Sequence, residues 1–282
     1  MKKSIAFIIE RANITPNIVL ATSLLLSINL SLIGHIDWKA AVLSFFALLT
    51  FIVELRIMDE YKDYEKDKIA NVTRPLPRGL ITLPECLRLI HVFLFALWVY
   101  VFLAYIFFGP TPAICLAIVN IWLYLMYKEF FIGTNLANYA LIYAITHQVI
   151  IIPVVFFIVA LINPAMVFTL KSFGFSLLLF GSFFTYEVGR KLNPDADKVL
   201  KTYLGMYGPY KTTTILAVLL LIPLYGAYLL NAFYWELIPN LMVYSHLPFI
   251  ILKPNYFKRI EGLIGLFLMY NMLFLAIKFL LG

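Results

Sequence analysis

Residues 56–79 read RIMDEYKDYEKDKIANVTRPLPRG, a charged island that holds five of the chain's 15 acidic side chains in an otherwise apolar sequence. Placed on a helix at about 100° per residue, Asp59, Asp63 and Asp67 advance by about 40° each, and Glu60 lies about 20° beyond Asp67. The four carboxylates are therefore expected on one face. Side chains four apart stand about 6 Å apart along the axis, so neighbouring pairs suit a shared hard cation such as Mg²⁺, whereas Asp59 and Asp67, about 12 Å apart, do not. Downstream, Arg74 and Arg78 offer forked donors to phosphate oxygens on a turn stiffened by Pro75 and Pro77. The same charges also balance one for one, Lys62, Lys66, Lys68, Arg74 and Arg78 against Asp59, Glu60, Asp63, Glu65 and Asp67. A plain solvated loop accounts for that count equally well, so the context has to decide.

The context is a membrane. With 63% hydrophobic and 13% charged residues and a mean hydropathy of +0.92 over 282 residues, the chain carries more apolar surface than a soluble domain of this length buries. Its net charge of +7 follows membrane topology, so no nucleic-acid partner is invoked. Cys86 and Cys115 lie in apolar stretches without metal or redox spacing and read as small packing residues. The opening MKKSIAFIIERANITPN reads as an amphipathic surface segment. The apolar run after it is too long for a signal peptide and lacks a small-residue cleavage site.

Windows of about 20 residues give nine apolar spans, near 15–34, 39–58, 83–108, 111–128, 138–161, 167–189, 210–231, 234–252 and 261–281. With the N-terminus cytoplasmic and the C-terminus outside, all but Lys39, Lys171 and Lys278 of the 22 basic residues fall inside, as the positive-inside rule favours. Trp38 and Trp235 then sit at the outer boundary. Of the acids only Asp37 and Glu236 fall outside, a one-sidedness that the rule does not demand and that points to a function on the inner face. The fold expected is an all-α bundle of nine transmembrane helices around a central cavity, a single membrane domain over 1–282.

A second cluster lies in TYEVGRKLNPDADK. Glu187, Lys191 and Asp195 stand 128 positions after Asp59, Asp63 and Asp67, each cluster at the inner end of an even-numbered span and ahead of a basic loop. This suggests a diverged internal repeat, with motifs at 56–79 and 186–198 facing one cavity. Pro194 is expected to end the helix and leave Asp195 and Asp197 in the loop. Lys191 is a cation in an otherwise acidic pattern and suits phosphate.

These residues resemble the UbiA superfamily of intramembrane prenyltransferases, whose hallmark is Asn-Asp-x-x-Asp-x-x-x-Asp followed by Arg-Pro-x-Pro-x-Gly, with a second acidic motif in the other half of a nine-helix fold. Here Asp59-Glu60-x-x-Asp63-x-x-x-Asp67 and Arg74-Pro75-Leu76-Pro77-Arg78-Gly79 occupy those places, with Asp59 where Asn is commonest and Glu60 where Asp is usual. Tyr124 and Lys128 resemble a tyrosine and lysine at the inner end of the fourth helix, and Glu129 stands where a second basic residue is frequent. The resemblance implies Mg²⁺ held by Asp59, Glu60, Asp63, Asp67, Glu187 and Asp195. It implies a prenyl diphosphate bound by Arg74, Arg78, Tyr124, Lys128 and Lys191, with Asp63, Asp67, Arg74 and Lys191 carrying catalysis. The allylic C–O bond would ionise and a lipophilic or aromatic acceptor attack the cation. The partners implied are these substrates and membrane lipids, with no nucleic acid and no obligate protein partner. The location implied is a membrane, crossed several times, which is the cytoplasmic membrane if the source is prokaryotic, with the site on the cytoplasmic side.

Other polar residues have simpler explanations. Glu54 reads as paired with Arg56 or lining the cavity, His147 as a hydrogen-bonded buried histidine or an acceptor contact, and Asn120 and Asn138 in the same two ways. Two other functions compete. A secondary transporter places its ion site near the midplane on broken helices, whereas these acids lie at span ends. A CDP-alcohol phosphotransferase needs Asp-Gly and Ala-Arg elements between its aspartates, and they are missing.

Overall fold

The computed structural model describes residues 2–133, 136 and 139–281, and its regular elements are all helical. Asn138 lies outside the described residues. The chain opens with α1 (Lys2–Ala12), which buries Phe7 and Ala12 and leaves Ile5 and Ile9 exposed, as expected of a surface helix. Next come α2 (Ile14–Ile33) and α3 (Trp38–Lys62), the latter started by Asp37, whose side chain accepts from the Lys39 and Ala40 amides. After a bend at Asp63 the short α4 (Tyr64–Ala70) follows.

A capping box between Thr82 and Glu85 opens α5 (Leu83–Phe108). Gly109, at φ 88°, takes a conformation closed to most side chains and lets Pro110 begin α6 (Pro110–Tyr127) at once. The fifth span is broken into α7 (Ala140–Gln148) and α8 (Ile151–Ile162), where Pro153 withholds a backbone donor from the last turn of α7. The chain ends with α9 (Leu170–Gly189), α10 (Tyr203–Leu219), α11 (Leu221–Leu229), α12 (Phe233–His246), α13 (Phe249–Leu252) and α14 (Phe257–Leu281).

Seven segments are long and apolar enough to cross a membrane: Ile14–Ile33, Trp38–Lys62, Leu83–Phe108, Pro110–Tyr127, Ala140–Ile162, Tyr203–Leu229 and Phe257–Leu281. The protein is a multi-pass integral membrane protein. The remaining two windows are helical but weaker, since α9 carries glycines and serines at its packed face and the window at 234–252 is divided between α12 and α13.

The helices close into a ring in which α2, α3, α5, α6, α8, α9 and α14 each pack on the next, and α14 returns to α2. Because α8 also touches α2 and α3, it turns inward from its place between α6 and α9. Val155, Phe157, Ile158, Val159 and Ala160 are fully enclosed there. These side chains of α8 therefore belong to the packed core of the bundle, and the polar cavity described below is bordered by residues at the end that bears the first acidic motif. Where α11 meets α9 the helices touch through glycine: a Cβ on Gly226 would stand 2.4 Å from the Leu178 amide nitrogen. Such close approach is how helices gain attraction where lipid is as apolar as they are.

Candidate functional site

The acidic motif does not present one face. Backbone bonds from Asp63 to the Asp59 carbonyl (2.9 Å) and from Asp67 to the Asp63 carbonyl (2.8 Å) keep helical spacing, but the bend at Asp63 sends the four carboxylates to different partners. Glu60 is fully buried, 2.5 Å from Arg11 of α1, and accepts from the Leu76 amide at 3.1 Å. Asp67, also buried, accepts from Asn71 at 2.8 Å and from Arg74 at 2.5 Å. Both acids thus brace the RPLPRG turn. Asp59 and Asp63 remain half-exposed, and among the described residues each forms an ion pair with one nearby surface cation, Arg56 at 3.8 Å and Lys66 at 3.0 Å. Pairs of that kind contribute little and are readily exchanged.

The arginines of the turn differ. Arg74 uses one guanidinium nitrogen on Asp67 and is one-third exposed. Arg78 holds Glu10 of α1 in a two-point bond at 2.6 and 2.5 Å, which keeps the Glu10 carboxyl below its ordinary pKa of 4.5. Consecutive residues of α1, Glu10 and Arg11, thereby engage one cation and one anion of the motif. Sequence spacing gives no sign of this, because partners some 50 to 70 positions apart leave no periodic trace.

In the second cluster Glu187 lies 2.5 Å from Arg190 and 2.6 Å from Lys191. As expected, the helix ends before Pro194 and leaves Asp195 exposed in a turn, with its amide bonded to the Asn193 side chain. Asp197 caps the short turn Lys198–Leu200, against which α4 packs. The two motif ends are therefore neighbours. The charges agree: crowding by protein disfavours ionised Arg190, yet Glu187 and, across the gap, Asp59 hold its pKa above the ordinary value.

Between Asp59 and Asp63 in the chain, Tyr61 and Lys62 border a cavity of about 480 Å³ that is also lined by Tyr127, Lys128, Glu129 and Gly133. Among the described residues Lys128 has no carboxylate partner; its ammonium lies 4.6 Å from the Tyr127 ring and 5.9 Å from that of Tyr124. Glu129 turns instead to Lys62, 3.6 Å away. The cavity wall there is unusual: Glu129, Phe130 and Phe131 are consecutive left-handed residues at φ 47°, 53° and 59°, a conformation costing roughly 1–2 kcal/mol per residue and held by Phe130 packing on Trp122 and His147.

Other polar residues resolve differently. Glu54 is fully buried and neither oxygen has a partner; the expected pairing with Arg56 fails because Arg56 reaches forward to Asp59. His147 is hydrogen-bonded and mostly buried, with Nδ1 2.7 Å from the Tyr143 carbonyl. Asn120 is a packing residue whose amide faces the Leu94 carbonyl at 3.4 Å.

The described residues thus form a polytopic helical membrane protein with a cavity walled in part by Lys62, Lys128 and Glu129 and, on the same chain segment as Lys62, two half-exposed carboxylates. The chain belongs to the UbiA prenyltransferase family, whose profile matches residues 19–259. No curated protein sequence matches it significantly. A solved structure of a digeranylgeranylglyceryl phosphate synthase shares the fold at 18% identity, with a TM-score of 0.68, over 99% of this chain and 100% of that one.

Proposed function

We propose that this membrane prenyltransferase ionises an allylic prenyl diphosphate with Mg²⁺ and passes the prenyl group to a lipophilic or aromatic acceptor. The observation that carries this reading is the placement of two half-exposed carboxylates, Asp59 and Asp63, on the chain segment that brings Lys62 into the wall of a cavity, a wall that also holds Lys128, which has no carboxylate partner among the described residues. Among the described residues no three metal-binding side chains converge. Mg²⁺ keeps water and takes one or two carboxylates together with substrate phosphates. Asp59 and Asp63 would hold it, with Glu187 contributing once released from its cations, and Asp195 standing further out in the loop. When bound, the metal neutralises the diphosphate and makes it a better leaving group.

The chain's own residues supply the rest. Lys128 and one nitrogen fork of Arg74 bind phosphate oxygens, and Lys191 and Arg78 join them if their carboxylates, Glu187 and Glu10, let go. As the allylic C–O bond breaks, its electron pair leaves with the diphosphate, and the faces of Tyr61, Tyr124 and Tyr127 attract the carbocation. The enclosed apolar half of the bundle keeps water from that cation, so the acceptor attacks instead. Glu60 and Asp67 shape the turn that presents Arg74. We place both motifs on the cytoplasmic side, with nine crossings, a single domain built from two diverged halves, and the C-terminus outside.

The test is to incubate the purified protein in lipid bilayers with allylic prenyl diphosphates of several lengths, Mg²⁺ and a total lipid extract. Diphosphate release with a new prenylated species in the mass spectrum is expected. Failure to consume any of the prenyl diphosphates overturns the reading. Cysteines placed between Lys62 and Arg78 should be labelled from the cytoplasmic side alone.

A further inference from the structure

We propose that Lys62 is a positioning residue, the strut that sets the gap between the carboxylates Asp59 and Asp63 and the cation Lys128. The inference rests on the prenyl-transfer reading for its kinetic consequences but on geometry for its existence. Lys62 is the last residue of α3 and lies in the backbone segment that carries both aspartates. Its side chain leaves that helix and is only 13% exposed. The ammonium donates to the Met126 carbonyl at 3.0 Å and the Tyr143 hydroxyl at 2.9 Å, and faces His147 Nε2 at 3.3 Å.

An ammonium has three donors, and these three partners take them all. His147 fits the arrangement: Nδ1, bonded to the Tyr143 carbonyl, carries the ring proton, which leaves a lone pair on Nε2 for Lys62. Tyr143 stacks on the same imidazole, ring centroids 3.9 Å apart. Lys62 is thus saturated and does not bind diphosphate itself. Its partners identify what it does. Met126 lies in the last turn of α6, where carbonyls have no helical partners and a cation meets the negative helix end, and the next residues are Tyr127 and Lys128. Tyr143 and His147 belong to α7. One side chain therefore joins three helix ends.

Packing does not fix that gap unaided. α3 packs broadly on α5, and α5 on α6, but α3 and α6 meet only sparsely. The bend at Asp63 and the left-handed turn after Lys128 both interrupt regular helix on either side of the gap. Glu129, on that turn, adds its charge to the same ammonium at 3.6 Å. Removing Lys62 would free the two walls to separate, and an error of about 1 Å in such a site costs roughly a hundredfold in rate.

The experiment compares Lys62→Met, Lys62→Arg and Tyr143→Phe in bilayers. A prenyl thiodiphosphate that resists ionisation is titrated calorimetrically with and without Mg²⁺, beside steady-state kinetics and thermal unfolding. Lys62→Met is expected to weaken Mg²⁺-dependent binding of the analogue by about tenfold or more and to raise KM for the prenyl diphosphate, with KM for the acceptor unchanged. Lys62→Arg, which keeps charge and several donors, should recover most of the loss. Tyr143→Phe removes one acceptor, leaves the ammonium in place, and should give a smaller loss of the same kind; it decides the matter if Lys62→Met does not fold. Binding of the analogue within twofold of the parent in both variants overturns the proposal, and so does a change confined to the acceptor. If the parent binds the analogue but transfers no prenyl group, it is the reaction that is misread and not the strut.

Discussion

Arg11 of the surface helix and Glu60 of the acidic motif stand 2.5 Å apart, with Glu60 fully buried. The helix that precedes the first span is thus fastened to the turn that carries Arg74 and Arg78. Removing one member of a buried pair leaves the other charge stranded, at about 3–5 kcal/mol. Arg11→Met should therefore lower the thermal unfolding temperature markedly, whereas Glu60→Gln, which keeps an acceptor for the Leu76 amide, should lower it less. Little effect from either variant would mean that the Leu76 bond, which both retain, holds the turn without the ion pair.

The Glu10–Arg78 bond should respond to acid in a defined direction. Arg78 holds the Glu10 pKa below 4.5, so the tie is complete above the ordinary carboxylate value. It is lost only as pH falls through the lowered value. Amide exchange in α1 should stay slow from neutral pH down through that ordinary value and quicken below it. Glu10→Gln should remove the step.

Within the motif, the carboxylates should divide by role. Asp63→Ala is expected to abolish Mg²⁺-dependent turnover with little change in unfolding temperature, because its side chain is half-exposed. Asp67→Ala should lose both, since Asn71 and Arg74 are left without their acceptor. Activity above about a tenth of the parent in Asp63→Ala would count against a metal role, given the several kcal/mol a ligand supplies.

Lys191 and Asp63 should behave as one unit across the two motifs. Each single alanine variant should reduce turnover, and the double variant should fall little below the worse of the two. Simple addition of the losses would mean separate sites.

At the crossing of α9 and α11, Gly226→Ala puts a methyl 2.4 Å from the Leu178 amide nitrogen, and the backbones must part. A loss of about 1–3 kcal/mol is expected, read as a lower unfolding temperature in detergent.

Apolar windows located all seven segments that are long and apolar enough to cross a membrane, because hydropathy is a local sum, yet the window at 167–189 is weak for a physical reason. Gly174, Gly181, Ser176 and Ser182, which let α9 pack closely, also dilute its apolar character. The two acidic clusters were legible from spacing, and so was the exit of Asp195 into a loop. Their division into bracing and available carboxylates was not, because it depends on Arg11, Arg74 and the bend at Asp63. Lys62 looked like one more solvated charge in a balanced loop; its partners come from α6 and α7. Nothing in Glu129-Phe130-Phe131 signals a left-handed turn, since none of the three is a residue that favours one.

The enclosed helix α8 has a consequence for anything with a long hydrocarbon tail. Past the break at Val149 and Ile150, the side chains of Val155, Phe157, Ile158, Val159 and Ala160 expose almost no surface for such a tail to lie against.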